Sequence, residues 1–433
     1  MTSDRRNRKG EAVSKAFAFA LFATCLAAGC AHFQAGDTTT MPSLNKHYDN
    51  GNIKYRVWIP KDVEPRGIIF ASMGKNWDYR HFVDNPTWQA AAKHWEFILV
   101  GTGAKGSKQC DTAKLKADIE WLLDEVAEDS GHKHIPQLPF CSYGFSIGGW
   151  FTRRLAATWP GRMIAGGIGG MSLAEYNRET KTLAMPPDPV KDIPFMVTIG
   201  ELDTRVAEHW KEYLPKMLDQ GFRIGFATQW GLPHYEGNYE NILLVHFDRC
   251  IRHRLPEGWK PGDGPLELRT IQLENGWVAS GTTCSGWGTQ FVEAWPSDEA
   301  PDGLLDMNWF VDETMARAWQ AYALRHNAAA LVKPWVDSMD YIPSRNLPAP
   351  IPAGRSVELH AMSYWHKNPP KVEFYVDLEK IGEATQRTAG PGNDAYAATW
   401  KNPTPGIHIL YAIITTGKGN PCITKPCPVV VAE

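Results

Sequence analysis

Hydrophobic positions recur along this chain in two rhythms. I-K-Y-R-V-W-I-P (53–60) alternates apolar and polar residues with period two, as a half-exposed strand does. G-I-I-F-A-S (67–72), F-I-L-V-G (97–101) and P-F-M-V-T-I-G (194–200) are short unbroken apolar runs, the pattern of parallel strands buried on both faces. Between them the stretches 87–95, 111–128, 210–218 and 241–251 carry helical spacing, with Leu115, Ile119, Leu122, Leu123 and Val126 along one side of the second. Strands alternating with helices over 49–256 predict an α/β domain built on a mostly parallel sheet.

Past Leu255 the pattern changes. E-G-W-K-P-G-D-G-P reads as a linker, and 257–345 then holds a β-like stretch and one helix that Asp312 can cap, with Met315, Trp319, Tyr322 and Ala323 on one face. This segment is too short and mixed for a core of its own and is expected as an appendage to the first domain. A proline-rich run, L-P-A-P-I-P-A-G (347–354), introduces 346–433, where four period-two stretches predict a small antiparallel β-sandwich. Through P-K-V-E-F-Y-V-D-L-E-K-I-G-E and T-P-G-I-H-I-L-Y-A this tail resembles the immunoglobulin-like modules of bacterial extracellular enzymes. That resemblance implies a spacer.

Residues 1–30 stand apart from both domains, and 31–48 reads as a linker. Arg5, Arg6, Arg8 and Lys9 precede the apolar run from Ala16 to Cys30, which has the shape of an export signal and is short for a membrane-spanning helix. Ala27, Ala28 and Gly29 lead directly into Cys30, which resembles a bacterial lipobox; the resemblance implies cleavage before Cys30 and a lipid on its sulfur. A plain signal peptide cut elsewhere is the alternative. Ala31 is not the aspartate that holds such proteins at an inner membrane, so an outer-membrane or cell-surface location is expected. Loss of residues 1–29 removes five basic and two acidic side chains, moving the formal charge from −3 to −6. A mildly acidic surface argues against nucleic acid as a partner. Of eight cysteines, six remain beyond Cys30, and export permits three disulfides. Cys422 and Cys427 are the first candidate pair; Cys110, Cys141, Cys250 and Cys284 allow three further pairings. No close cysteine or Cys/His cluster completes a zinc site.

The candidate chemistry centres on C-S-Y-G-F-S-I-G-G-W (141–150). Alone, a G-x-S-x-G pentapeptide is a weak signal. Here L-P-F-C-S-Y before it suits a strand and W-F-T-R-R-L-A-A-T after it suits a helix, and a strand turning so tightly into a helix leaves room only for Gly144 and Gly148 around Ser146. The helix start places the N–H of Ile147 where an oxyanion would form. A serine nucleophile needs a base, and the base an orienting acid. I-P-F-M-V-T-I-G-E-L-D supplies a strand followed by Asp203, with Glu201 and Asp192 as other carboxylates near that strand end. R-I-G-F-A-T-Q-W (223–230) is a further strand, followed by His234 in a loop. His209, His246 and His253 fall in helical patterns and read as surface or packing residues.

Through Y-R-V-W-I-P, G-F-S-I-G-G, G-E-L-D-T-R-V and G-L-P-H, residues 50–255 resemble α/β-hydrolases of the esterase kind, near the polyhydroxybutyrate-depolymerase-like, feruloyl-esterase-like and dienelactone-hydrolase-like proteins. The resemblance implies an α/β-hydrolase fold, the triad Ser146–His234–Asp203 and a carboxylic ester substrate. The chain departs from it in A-S-M-G-K-N-W-D-Y: Met73 stands where many relatives have histidine, Gly74 matches, and Lys75 or Asn76 is left to supply the second oxyanion N–H.

Three tryptophans fall beside this chemistry, Trp77, Trp150 and Trp230. Their faces suit an aryl acyl group or a sugar, with core packing as the plainer role. G-T-G-A-K-G (101–106) mimics a dinucleotide fingerprint but lacks an acidic residue ending a second strand, so no organic cofactor is expected. His132 and His134 in G-H-K-H-I-P lack a third ligand in sequence, so no metal is expected either. The expected function is an exported serine esterase acting on a small or polymeric ester and touching the membrane through its anchor alone. A peptidase on the same scaffold, or a surface carbohydrate-binding lipoprotein with an inert hydrolase domain, are the alternatives.

Overall fold

Eight strands form the central sheet: β1 (Leu44–Asp49), β2 (Ile53–Ile59), β3 (Gly67–Ser72), β4 (Phe97–Ala104), β5 (Phe140–Phe145), β6 (Met163–Gly169), β7 (Phe195–Gly200) and β8 (Ile224–Gln229). Their spatial order is β1-β2-β4-β3-β5-β6-β7-β8. The first two pairings are antiparallel and the remaining five parallel. The exchange of β3 and β4 within an otherwise sequential parallel sheet is the topology of the α/β-hydrolase fold. The computed structural model describes residues 43–104, 112–177, 182–203, 213–264, 266–280, 292–301, 307–324, 329–333, 347–363, 371–387, 395–415 and 421–433. The expected signal segment with Cys30, and Cys110, Cys284 and His209, lie outside them.

Strands β3, β5, β6 and β7 are buried along their whole length, as the unbroken apolar runs of β3 and β7 require. Helices α1 (Pro86–Trp95), α2 (Thr112–Ser130), α3 (Ile147–Thr158) and α4 (Tyr239–Arg254) connect or follow the strands. Asn85 starts α1 by accepting from the N–H groups of Thr87 and Trp88, and Pro86 occupies the first helical position, where its missing donor costs nothing. Two elements escaped the sequence pattern. Strand β6, M-I-A-G-G-I-G, has three glycines and little β propensity, yet it needs them: a Cβ on Gly166 would lie 2.1 Å from the Phe195 ring, and one on Gly167 2.3 Å from Leu243. Strand β1 lies in the stretch read as linker; only Tyr48 is buried there, and pairing with β2 makes it a strand.

The segment after Leu255 closes the open edge of the sheet. A three-stranded antiparallel sheet, β9 (Trp277–Ser280), β10 (Ala294–Pro296) and β11 (Met307–Phe310), precedes helix α5 (Glu313–Ala323), whose Asp312 cap accepts from the Met315 N–H at 2.9 Å. On edge strand β8 the Phe226 N–H donates to Asn308 Oδ1 at 2.6 Å, and the Phe226 carbonyl accepts from the Trp319 indole at 2.6 Å. Exposed strand edges invite unwanted pairing, and here side chains satisfy both backbone groups.

The C-terminal part is a β-sandwich around Leu359, Val372, Phe374, Leu410, Ala412 and Val429. One layer pairs Val357–Ser363 with Ala395–Trp400 and with Ala329–Lys333, a strand from upstream of the proline-rich run. The other is centred on Gly406–Thr415, flanked by Lys371–Val376 and Cys427–Ala432. The sandwich is not a detached spacer. Ile407, Ile409, Tyr411 and Val430 on its outer side belong to the same buried cluster as Trp88, Phe247 and Ile251 of the hydrolase helices. The resemblance could not reveal this, because the outward-facing apolar residues have a partner only in three dimensions.

The expected Cys422–Cys427 disulfide is not formed; both cysteines are buried, as are Cys141 and Cys250. Cys422 lies opposite Ile414 and Cys427 opposite Leu410 on one neighbouring strand. Four strand positions separate their Cα atoms by about 13 Å, while a disulfide needs less than about 7 Å.

Candidate active site

Ser146 sits between β5 and α3 with φ 55° and ψ −120°, a region that a residue with a Cβ enters only when its surroundings force it. The force comes from two contacts. A Cβ on Gly144 would lie 2.0 Å from the Gly148 carbonyl oxygen, and a Cβ on Gly148 would lie 2.0 Å from the Ser72 carbonyl oxygen. The helix therefore presses onto the ends of β3 and β5, and the serine is held proud of the sheet. Hydrogen bonds from Ser146 N to Gly169 O and from Gly149 N to Ser146 O, both 2.8 Å, fix the turn.

His234 follows β8 and Asp203 follows β7. The imidazole bridges them: Nε2 is 2.9 Å from Ser146 Oγ, and Nδ1 is 2.5 Å from Asp203 Oδ2. Asp203 is almost fully buried while His234 stays partly open to solvent. The two loops are tied together by Leu202 N to Leu232 O at 2.9 Å. The other carboxylates have different duties. Glu201 accepts from the Gly231 N–H at 2.9 Å and braces the histidine loop, and Asp192 pairs with Arg223 at 2.7 Å. His246 is buried under the sheet, and burial pulls its imidazole down to about 4 against hydrogen bonds at Pro194 and Gly166. His253, in the last turn of α4, meets Asp312 at 2.9 Å.

Ile147 opens α3, so its N–H belongs to the first turn, which has no acceptor within the helix. The loop after β3 lies alongside: a Cβ on Gly74 would come 3.6 Å from the Ser146 Cβ. The loop closes by Trp77 N to Gly74 O at 3.1 Å, with Asn76 at φ 64° and Lys75 and Asn76 exposed. Met73, in place of histidine, is buried at the loop base.

The three tryptophans separate. Trp77 is 47% exposed and meets Tyr235, the neighbour of His234, edge-on at 6.5 Å, so the pair lines the rim above the triad. Trp150 is stacked by Arg153 at 4.1 Å, and the Trp230 indole donates to the Ala323 carbonyl at 2.7 Å, which docks the end of α5. Sequence reasoning missed the support beneath the elbow. Glu240 accepts from the hydroxyls of Tyr79 and Tyr143 and from the Trp88 indole, and Tyr239 Oη reaches the Gly144 carbonyl at 3.4 Å. Burial pushes the Tyr143 and Tyr79 phenols well up, so both stay neutral donors. An acidic residue in the first turn of α4 was the only sequence signal, and that position is usually solvated.

An α/β-hydrolase fold with a serine on its strand-to-helix elbow, a histidine within hydrogen-bond reach and a buried aspartate behind it defines the class of the molecule by architecture and geometry. No protein-family model matches the chain, and no curated protein does. Solved structures similar to it include an S-formylglutathione hydrolase from Agrobacterium tumefaciens, 11% identical over 49% of this chain and 98% of that one, with a TM-score of 0.35. A feruloyl esterase module from Clostridium thermocellum complexed with sinapinate is 10% identical over 48% and 86%, TM-score 0.34. Fibronectin(III)-like modules of Clostridium thermocellum are 21% identical over 24% of this chain and 93% of theirs, TM-score 0.19. At such values these likenesses bear on no functional statement.

Proposed function

We propose that this protein is an exported serine esterase, anchored by a lipid on Cys30, that hydrolyses carboxylic esters through an acyl-enzyme. The observation that carries the reading is the continuous chain Ser146 Oγ–His234–Asp203, at 2.9 and 2.5 Å. In this mechanism Ser146 Oγ attacks the ester carbonyl while His234 Nε2 takes its proton, and Asp203 holds the imidazole with Nδ1 protonated. The N–H of Ile147, with a second from Lys75 or Asn76, receives the tetrahedral oxyanion; one such donor is worth about 100- to 1000-fold in rate. His234 returns the proton to the departing alcohol. Water, activated by the same histidine, then releases the acid.

The exposed rim of Trp77 and Tyr235 favours an ester with an aromatic, sugar or polymeric group that lies flat against it. The test is hydrolysis of p-nitrophenyl acetate, butyrate and octanoate and of methyl ferulate by wild type and Ser146→Ala, with fluorophosphonate labelling of both. Turnover and labelling that vanish in the variant support the esterase. A folded wild type that takes no label returns the weight to a binding lipoprotein with an inert hydrolase domain.

A further inference from the structure

We propose that Glu64, His132 and His134 form a zinc site at the end of the sheet opposite the triad. In sequence the two histidines have no third ligand. The fold brings one from 68 residues away: Glu64 Oε1 lies 3.3 Å from His132 Nδ1 and 3.1 Å from His134 Nε2. All three donor atoms lie within 4.8 Å of one another. A zinc ion about 2.0–2.2 Å from each donor requires donors roughly 3.3–3.5 Å apart in a tetrahedron. The observed separations approach that edge and are longer than the about 2.7–2.9 Å of a charge-assisted hydrogen bond. The Pro65 carbonyl, 2.9 Å from His134 Nε2, or a water supplies the fourth position. Two imidazoles and a carboxylate suit zinc better than the oxygen-seeking magnesium or calcium.

The donors are held before any ion arrives. Helix α2 ends at Ser130, and Gly131 turns the chain at φ 79°, a conformation glycine adopts freely. Bonds from Ile135 N to His132 O at 3.1 Å and from Gln137 N to His134 O at 2.9 Å then fix the histidine segment. On the other side, Arg66 N to Glu96 O at 2.8 Å and Ile68 N to Pro139 O at 3.0 Å anchor the strand that Glu64 precedes. The His132 side chain is buried while that of Glu64 is 42% exposed, which leaves a path for the ion. On binding, each neutral imidazole turns its proton to the opposite ring nitrogen and offers the vacated lone pair.

The location sets the role. Glu64 precedes β3 and the histidines precede β5, whereas Ser146 follows the other end of β5. The strand alone interposes about 17 Å. A metal here braces the β2–β3 turn against the α2–β5 connection and takes no part in the reaction at Ser146.

The experiment is zinc titration of the chelator-stripped, tag-free full chain by equilibrium dialysis, with Tm recorded for stripped and loaded protein. Wild type is expected to retain one zinc per chain at low-micromolar free metal and to melt higher when loaded. His132→Ala/His134→Ala is expected to lose the zinc and the shift, and Glu64→Gln, an exposed and nearly isosteric change, to weaken retention at least tenfold. Cobalt in place of zinc should give the intense visible bands of a four-coordinate ion. Equal zinc on wild type and the double variant, or loading without a change in Tm, would overturn the site or its bracing role. Loss of fluorophosphonate labelling on stripping would overturn the separation from Ser146.

Discussion

The backbone at Ser146 makes a prediction that separates strain from chemistry. With φ 55° and ψ −120°, a side chain at this position costs about 1–3 kcal/mol. Ser146→Ala and Ser146→Gly both remove the hydroxyl and its 2.9 Å bond to His234, so that loss cancels between them. Only the glycine variant also removes the Cβ. Against the relief stands the greater freedom of glycine in the unfolded chain, about 0.4–1 kcal/mol. Ser146→Gly should therefore be more stable than Ser146→Ala by roughly 0.5–2 kcal/mol, at about 2–4 °C in Tm per kcal/mol for a domain of this size. Scanning calorimetry of the two inactive variants side by side reads the difference directly. If the glycine variant melts at or below the alanine variant, the elbow stores no strain, and the argument from the Gly144 and Gly148 contacts fails.

Asp203→Asn should keep the fold and KM while lowering kcat by about four orders of magnitude, since the imidazole loses its tautomer; a loss under tenfold would mean that another carboxylate, Glu201 first, orients His234. His246 titrates near 4 in the fold against 6.5 in the unfolded chain, so between those values the unfolded state holds more protons. Its contribution is therefore complete above pH 6.5 and lost as pH falls toward 4, about 3 kcal/mol in all. His246→Gln should flatten the pH dependence of denaturant stability over that window, and an unchanged slope would refute the assignment. Ile409→Asp places an unpaired carboxylate in the core shared by sandwich and hydrolase helices and should cost about 3–5 kcal/mol, lowering the melting of both parts together. Melting of the sandwich alone would show that the two parts are energetically separate.

The α/β alternation, the fully buried strands, the elbow and the order of serine, acid and histidine are local facts. Each rests on periodicity or on residue types a few positions apart: strands such as β3 and β7, buried on both faces by large apolar side chains, and a turn with no room for Cβ atoms show themselves in the residues that form them. Partners are another matter. That Asp203 faces His234 while Glu201 braces a loop and Asp192 holds Arg223 depends on side-chain directions at strand ends, which residue spacing does not encode. Glu64 joins histidines 68 and 70 residues on because the ends of β3 and β5 are neighbours in the sheet. The glycines of β6 look unfit for a strand until Phe195 and Leu243 fill the space above them. Ile407, Ile409 and Tyr411 look like one more face of a sandwich until the hydrolase helices cover them. Local residue patterns dictate which surfaces must be buried and where the chain turns at Ser146; what each surface is buried against is set by contacts between residues far apart in the chain, which exist only once it has folded.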